Sequence, residues 1–395
     1  MPPTLSTPIR SGCRRLVGVA VVASLAVGCG GVGRAAPTSF TVPPVTTPPV
    51  STTPTTGVPA PRADLAGLTA GVGLSALTKS GFDAVLDAIA ATRVRWLRLD
   101  FDWSVIQNGG PKAFDWSYTD LVIKAARRRN LSIIALVTYT PEWARPSGSP
   151  DKSPPTDPDD FARFVSTAAQ RYPDVTTWEI WNEPNVATFW YPRPDPEGYT
   201  ALLVRASAAI RAVDPAATII SGGLAPASDN ADGSQIDVRT FLTRVYDAGG
   251  GKAFDAVGLH PYSFPHLPAY AADFNTFATT PRLYRVMVAH GDTAKRIWGT
   301  EVGAPTEGGG GSVSESVQAE IATQAYQRWT AWDFTGPLIW YSFEDAGSAP
   351  DNRDDHFGLV TADGREKPAL AVFRAIVRAL LARQSSAGVT TTVQP

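Results

Sequence analysis

Eight short apolar runs alternate with longer amphipathic runs between residues 64 and 383, and this alternation restricts the fold more than any other feature. Predicted strands fall at 71–74, 96–100, 133–137, 175–181, 219–222, 256–260, 297–300 and 338–342. Predicted helices fall at 82–91, 117–129, 158–171, 196–213, 238–248, 281–290, 313–332 and 368–382. Two helices carry start signals. In Asp157-Pro158 and Asp195-Pro196 a capping acid precedes a proline at the first helical position. Eight strand–helix pairs in about 320 residues is the count of a single (β/α)8 barrel, a TIM barrel. A doubly wound open sheet would alternate too, but no glycine-rich phosphate turn follows the first predicted strand.

In such a barrel the C-terminal ends of the strands line the active site. Polar and aromatic residues gather at those ends here: Arg98, Asp100, Asp102 and Trp103 on strand two, and Tyr139 to Trp143 after strand three. Strand four, Trp178-Glu179-Ile180-Trp181, runs into Asn182-Glu183-Pro184-Asn185. Proline cannot continue a central strand, so Pro184 leaves Glu183 at the lip of the sheet. His260-Pro261-Tyr262 follows strand six, Glu301 ends strand seven, and Trp340-Tyr341 ends strand eight. A lone glutamate after a strand is an ordinary solvated loop residue. Two of them on strands four and seven, which face each other across the barrel, point to chemistry.

These residues resemble the retaining glycoside hydrolases of the (β/α)8 clan with catalytic glutamates on strands four and seven, closest to families 39 and 5. The resemblance is carried by Trp181-Asn182-Glu183-Pro184-Asn185, Arg98-Leu99-Asp100 with Trp103, Tyr139-Thr140-Pro141-Glu142-Trp143, His260-Pro261-Tyr262 and Thr300-Glu301-Val302-Gly303. It covers nearly all of residues 65–382. It implies Glu183 as acid/base, Glu301 as nucleophile, Asn182 on the sugar 2-hydroxyl and Trp340 beneath the sugar, although Tyr341 leaves that register open by one residue. Arg98 and Tyr262 would keep Glu301 ionised, and His260 would orient Glu183 or bind a hydroxyl.

Other readings stand beside these. Arg98 could simply pair with Asp100 or Asp102. Trp178 and Glu179 sit lower in the barrel, where packing is the default. Glu142 and Trp143 could edge a subsite or be structural. Trp190, Tyr191, Phe264 and Tyr270 could stack on sugar rings or seal the loops. His266, His290 and His356 lack metal-ligand spacing, so neither a metal nor an organic cofactor is expected.

The chain ends read differently. Residues 1–36 look like targeting sequence: Arg10, Arg14 and Arg15 precede 13 uncharged residues, Leu16 to Gly28, too short to span a bilayer. Cys29 follows in Leu25-Ala26-Val27-Gly28-Cys29, which resembles a bacterial lipobox with Ala26 where Leu is usual. The alternative is cleavage after Ala35 or Ala36 and release. Residues 37–63 form a Pro/Thr-rich linker, with eight Pro and eight Thr in the 25 residues from Pro37 to Pro61. Residues 384–395 read as a flexible tail. Cys13 and Cys29 are the only cysteines, so the domain proper has no disulfide or thiolate chemistry. A net charge of −2 gives no reason to expect nucleic acid.

The expectation is therefore an exported, monomeric retaining glycosidase, tethered by lipid or released to the cell wall, acting on a β-linked poly- or oligosaccharide. Its rivals are a transglycosylase using the same residues and a non-catalytic carbohydrate-binding protein on a decayed barrel.

Overall fold

The computed structural model describes residues 65–70 and 79–389. The expected targeting segment, Cys29, the linker and residues 390–395 of the tail lie outside them. Eight parallel strands close into a barrel in sequence order: β1 (Ala66–Thr69), β2 (Trp96–Asp102), β3 (Ser132–Thr138), β4 (Thr177–Asn182), β5 (Thr218–Gly223), β6 (Ala256–Leu259), β7 (Arg296–Val302) and β8 (Thr335–Trp340). β1 pairs with both β2 and β8, which shuts the ring.

Around it run α1 (Lys79–Ala91), the one-turn α2 (Trp103–Ile106), α3 (Ser117–Arg128), α4 (Pro158–Arg171), α5 (Pro196–Val213), α6 (Val238–Asp247), α7 (Thr276–Ala289), α8 (Glu315–Trp329) and α9 (Pro368–Val389). The two proline starts hold. Asp157 caps α4 by accepting from Asp159 N, and Asp195 caps α5 by accepting from Gly198 N. Three boundaries moved furthest. The first strand lies at 66–69 rather than 71–74, which falls among the undescribed residues. α7 starts at Thr276, capped by Asn275, with Pro281 inside it rather than at its head. α9 runs on to Val389, beyond the expected end at Ala382.

Side chains alternate along a strand, so every second residue points into the barrel. Trp96, Ile134, Ile220, Ala256 and Ile339 form a separate apolar cluster with Trp298 packed against it. The two indoles meet edge to face at 5.5 Å. This plug fills the N-terminal end of the barrel, and Arg98 stands one inward position above Trp96. The opposite faces of the strands pack on the helices in the main core, which includes Phe101, Trp103, Phe161, Phe164, Trp178 and Trp181. Apolar layers thus surround one buried polar layer at the C-terminal end.

No helix of the described residues is long and apolar enough to cross a membrane.

Candidate active site

Arg98 organises the polar layer. Its Nε donates to Glu179 Oε2 and its Nη1 to Glu301 Oε1, both at 2.6 Å, and its Nη2 donates to Asn182 Oδ1 at 3.1 Å. All four side chains are buried. Glu179 also accepts from Gly223 N on β5. Neither Asp100 nor Asp102 pairs with Arg98, and Glu179, read from the sequence as a packing residue, is the buried counter-ion instead. Spacing hid it: a glutamate two residues before Trp181 looks like strand interior until Arg98 is known to point inward beside it.

The end of β4 departs from regular alternation. Trp181 has φ of 73° and Glu183 φ of 48°, in the left-handed region that non-glycine residues seldom occupy. The turn at Trp181 sends its indole outward among Phe161, Tyr139 and Trp190, with Nε1 donating to Phe189 O. Asn182 then faces Arg98, and Glu183 follows it over the barrel mouth. Asn185 locks this turn, donating to Ala225 O and Ile236 O and accepting from Ala225 N.

His260 Nδ1 lies 2.7 Å from Glu183 Oε1 and 3.6 Å from Glu301 Oε2. The Tyr262 hydroxyl donates to Glu301 Oε2 at 2.7 Å. Ligating atoms of Glu183, His260 and Glu301 all lie within 4.8 Å of one another. Such a trio could hold a cation by proximity alone. The donor set argues otherwise: Glu301 has a guanidinium on one oxygen and a hydroxyl donor on the other, an arrangement that repels a second positive charge.

Burial pushes the carboxyls of both glutamates up. At Glu301 the Arg98 charge and the Tyr262 hydrogen bond pull against it. At Glu183 the His260 contact pulls down, while the charge of Glu301 pushes further up. Glu301 lies against the Arg98 guanidinium and Glu183 does not, so of the two Glu183 is the better holder of a proton.

Six of the residues singled out from sequence meet here: Arg98, Asn182, Glu183, His260, Tyr262 and Glu301. Two others do not present a face to a sugar. Trp190 is 2% exposed, wedged against Trp181 and Tyr199, and supports the β4 turn from behind. Trp340 is fully buried in the main core. Its neighbour Tyr341 stands with Tyr262 and Phe357 instead, close enough for the charge of Glu301 to help push its hydroxyl up, after burial. The strand-eight register is thus one residue later than Trp340. Trp143 braces the β3 loop, donating to Gln107 O and meeting Trp103 edge to face. Asp100, read from the sequence as a strand-end polar residue and a possible partner of Arg98, is exposed at the mouth on the inward side above Arg98.

A cavity of about 630 Å³ opens beside Glu183, between the loops after β4, β5 and β6.

A closed (β/α)8 barrel with paired glutamates at the ends of β4 and β7 defines a glycosidase of the two-carboxylate class. The family model for cellulase, glycosyl hydrolase family 5, matches residues 63–336, and the chain belongs to that family. Among solved structures, a family 39 glycoside hydrolase from Bacteroides cellulosilyticus WH2 is 21% identical with a TM-score of 0.63; the match covers 80% of this chain and 64% of that one. A monomeric beta-xylosidase from Caulobacter crescentus CB15 is 19% identical (TM-score 0.60, 79% and 67% covered). A family 5 subfamily 18 enzyme from Streptomyces cattleya, in complex with Manb1-4GlcNAc, is 17% identical (TM-score 0.60, 84% and 82% covered). At these identities the likeness establishes the fold. No curated protein matches the chain.

Proposed function

We propose that the protein hydrolyses a β-linked glycoside with retention, through a glycosyl intermediate on Glu301. The observation that carries this is the carboxylate separation. Inverting enzymes hold their carboxyls about 6.5–9.5 Å apart to admit a water, and retaining ones about 5–5.5 Å. Oxygens of Glu183 and Glu301 within 4.8 Å fit the second geometry.

Glu301, ionised beside Arg98, attacks the anomeric carbon as Glu183 gives its proton to the leaving oxygen. His260 is a positioning residue. As the Nδ1–H tautomer it donates to Glu183 Oε1, which leaves the acid proton on Oε2, free for the leaving oxygen. Water then enters, Glu183 takes its proton, and the bond to Glu301 breaks. Asn182, held by Arg98, is placed for the sugar 2-hydroxyl, and Asp100 for another hydroxyl of the same ring. The length of the loops after β4 and β6 supports an oligo- or polysaccharide substrate; export, a lipid tether on Cys29 and a monomeric state remain part of this reading, resting on the N-terminal sequence and composition. A transglycosylase would share every residue and differ in excluding water.

Proton NMR of a fresh digest of an aryl β-glycoside tests the mechanism. Retention requires the β-anomer of the free sugar to appear first; initial release of the α-anomer overturns it.

A further inference from the structure

We infer that Asp100 selects the sugar. Its carboxylate takes hydroxyls of the ring over Glu301, and the negative field it completes at the barrel mouth admits an uncharged sugar and turns away one that carries a carboxylate. This rests on the two-glutamate reading above and narrows it.

Asp100 follows Arg98 by two residues on β2, so it points to the same inward side, one layer nearer the mouth. Leu99 and Phe101 on either side of it are buried in the main core, whereas Asp100 is exposed. Among the described residues its carboxylate has no hydrogen-bond or ion-pair partner, because Arg98 is committed to Glu179, Glu301 and Asn182. Asp102 differs in accepting from Ser104. An ionised carboxylate only accepts hydrogen bonds, and a sugar ring presents adjacent hydroxyl donors to it.

Loss of water at the crowded mouth raises the Asp100 carboxyl to about 6, which leaves it ionised at neutral pH. Arg98 pulls it down, while Asp102, Glu301 and Glu179 push it up, so all four charges reach this point. Four acids thus surround one guanidinium. Two further cations stand in the loops, each beside an acid of its own. Lys152 pairs with Asp151 and lies 3.9 Å from the centre of the Tyr139 ring. Arg353 lies over Phe264 at 5.5 Å, next to Asp354. On the leaving side, Asp232 adds one more acid to the cavity wall. A sugar carboxylate brought here meets its own sign of charge, which is how such sites reject a wrong partner.

The test compares aryl β-glycosides in pairs at neutral pH: glucoside with glucuronide, galactoside with galacturonide, and mannoside with mannuronide. In the series the enzyme prefers, the neutral member should have a kcat/KM about 100-fold above that of its uronide. Asp100→Asn should raise KM for the neutral member about tenfold and narrow the gap by a similar factor. Asp100→Ser serves as a second variant should the first fail to fold. A uronide turned over as well as its neutral counterpart, or a gap that the Asp100 variants leave unchanged, overturns the inference. Failure of every member to turn over, together with failure of activated fluorosugars to form an adduct, instead removes the two-glutamate reading, and the inference with it.

Discussion

Arg98 and Glu301 form a buried ion pair at 2.6 Å across the barrel, from β2 to β7, and the same guanidinium holds Glu179 of β4. One cation therefore ties three strands together and sets the charge of the proposed nucleophile. Removing one partner of a buried pair leaves an uncompensated charge, at a cost of about 3–5 kcal/mol. Arg98→Met should lose stability by that order. Burial already raises Glu301, and without the guanidinium its carboxyl rises further, so the folded state binds protons more tightly than the unfolded chain. Stability of the variant should recover as pH falls toward the ordinary carboxylate range and worsen as pH rises. Thermal melts at neutral pH and at about pH 5 check this: the deficit against wild type should be smaller at the lower pH.

Glu183→Gln removes the proton donor but keeps shape. Hydrolysis of an alkyl glycoside should fall by about 10²–10⁴, the usual contribution of a general acid. A dinitrophenyl glycoside, whose leaving group needs no proton, should still form the intermediate at close to the wild-type rate. Comparing burst-phase rates on the two substrates reads the difference.

The charge of Glu301 is one cause of the raised carboxyl at Glu183. Glu301→Gln deletes that charge, which favours the ionised form of its neighbour, so the Glu183 pKa should drop. Carbon NMR of labelled glutamate in the two proteins measures the shift directly. An upward shift would mean the two groups do not sense each other as described.

Gly223 is fixed by the site. A Cβ there would lie 2.2 Å from His260 Nε2 and 2.6 Å from Thr300 Oγ1. Gly223→Ala must displace the imidazole that holds Glu183. Small misplacements of catalytic groups cost about 10²-fold, so kcat should fall by about that much while the circular dichroism spectrum persists.

Much of this was legible in the sequence because the barrel writes itself as a repeating period, and Asn182-Glu183-Pro184 marks a strand end by the chemistry of proline. The partners of Arg98 were not. A residue two positions along a strand shares its face, but which residue of a third strand meets it depends on register around the ring, and here that residue is Glu179 rather than the nearby aspartates. The aromatics failed for a related reason. Trp190 closely follows the Asn182-Glu183-Pro184 turn and Trp340 ends β8, yet both rings pack into the core. The first strand was misplaced because residues 71–74, Gly-Val-Gly-Leu, are more apolar than the strand itself, Ala-Gly-Leu-Thr at 66–69.

The central claim is that Glu301 bonds the sugar. Trapping with an activated fluorosugar, peptic digestion and fragment mass analysis tests it most directly. The account predicts one added glycosyl mass, on Glu301, and none in Glu301→Gln. A label on Glu183 or any other residue, or hydrolysis proceeding at full rate in Glu301→Gln, would contradict it.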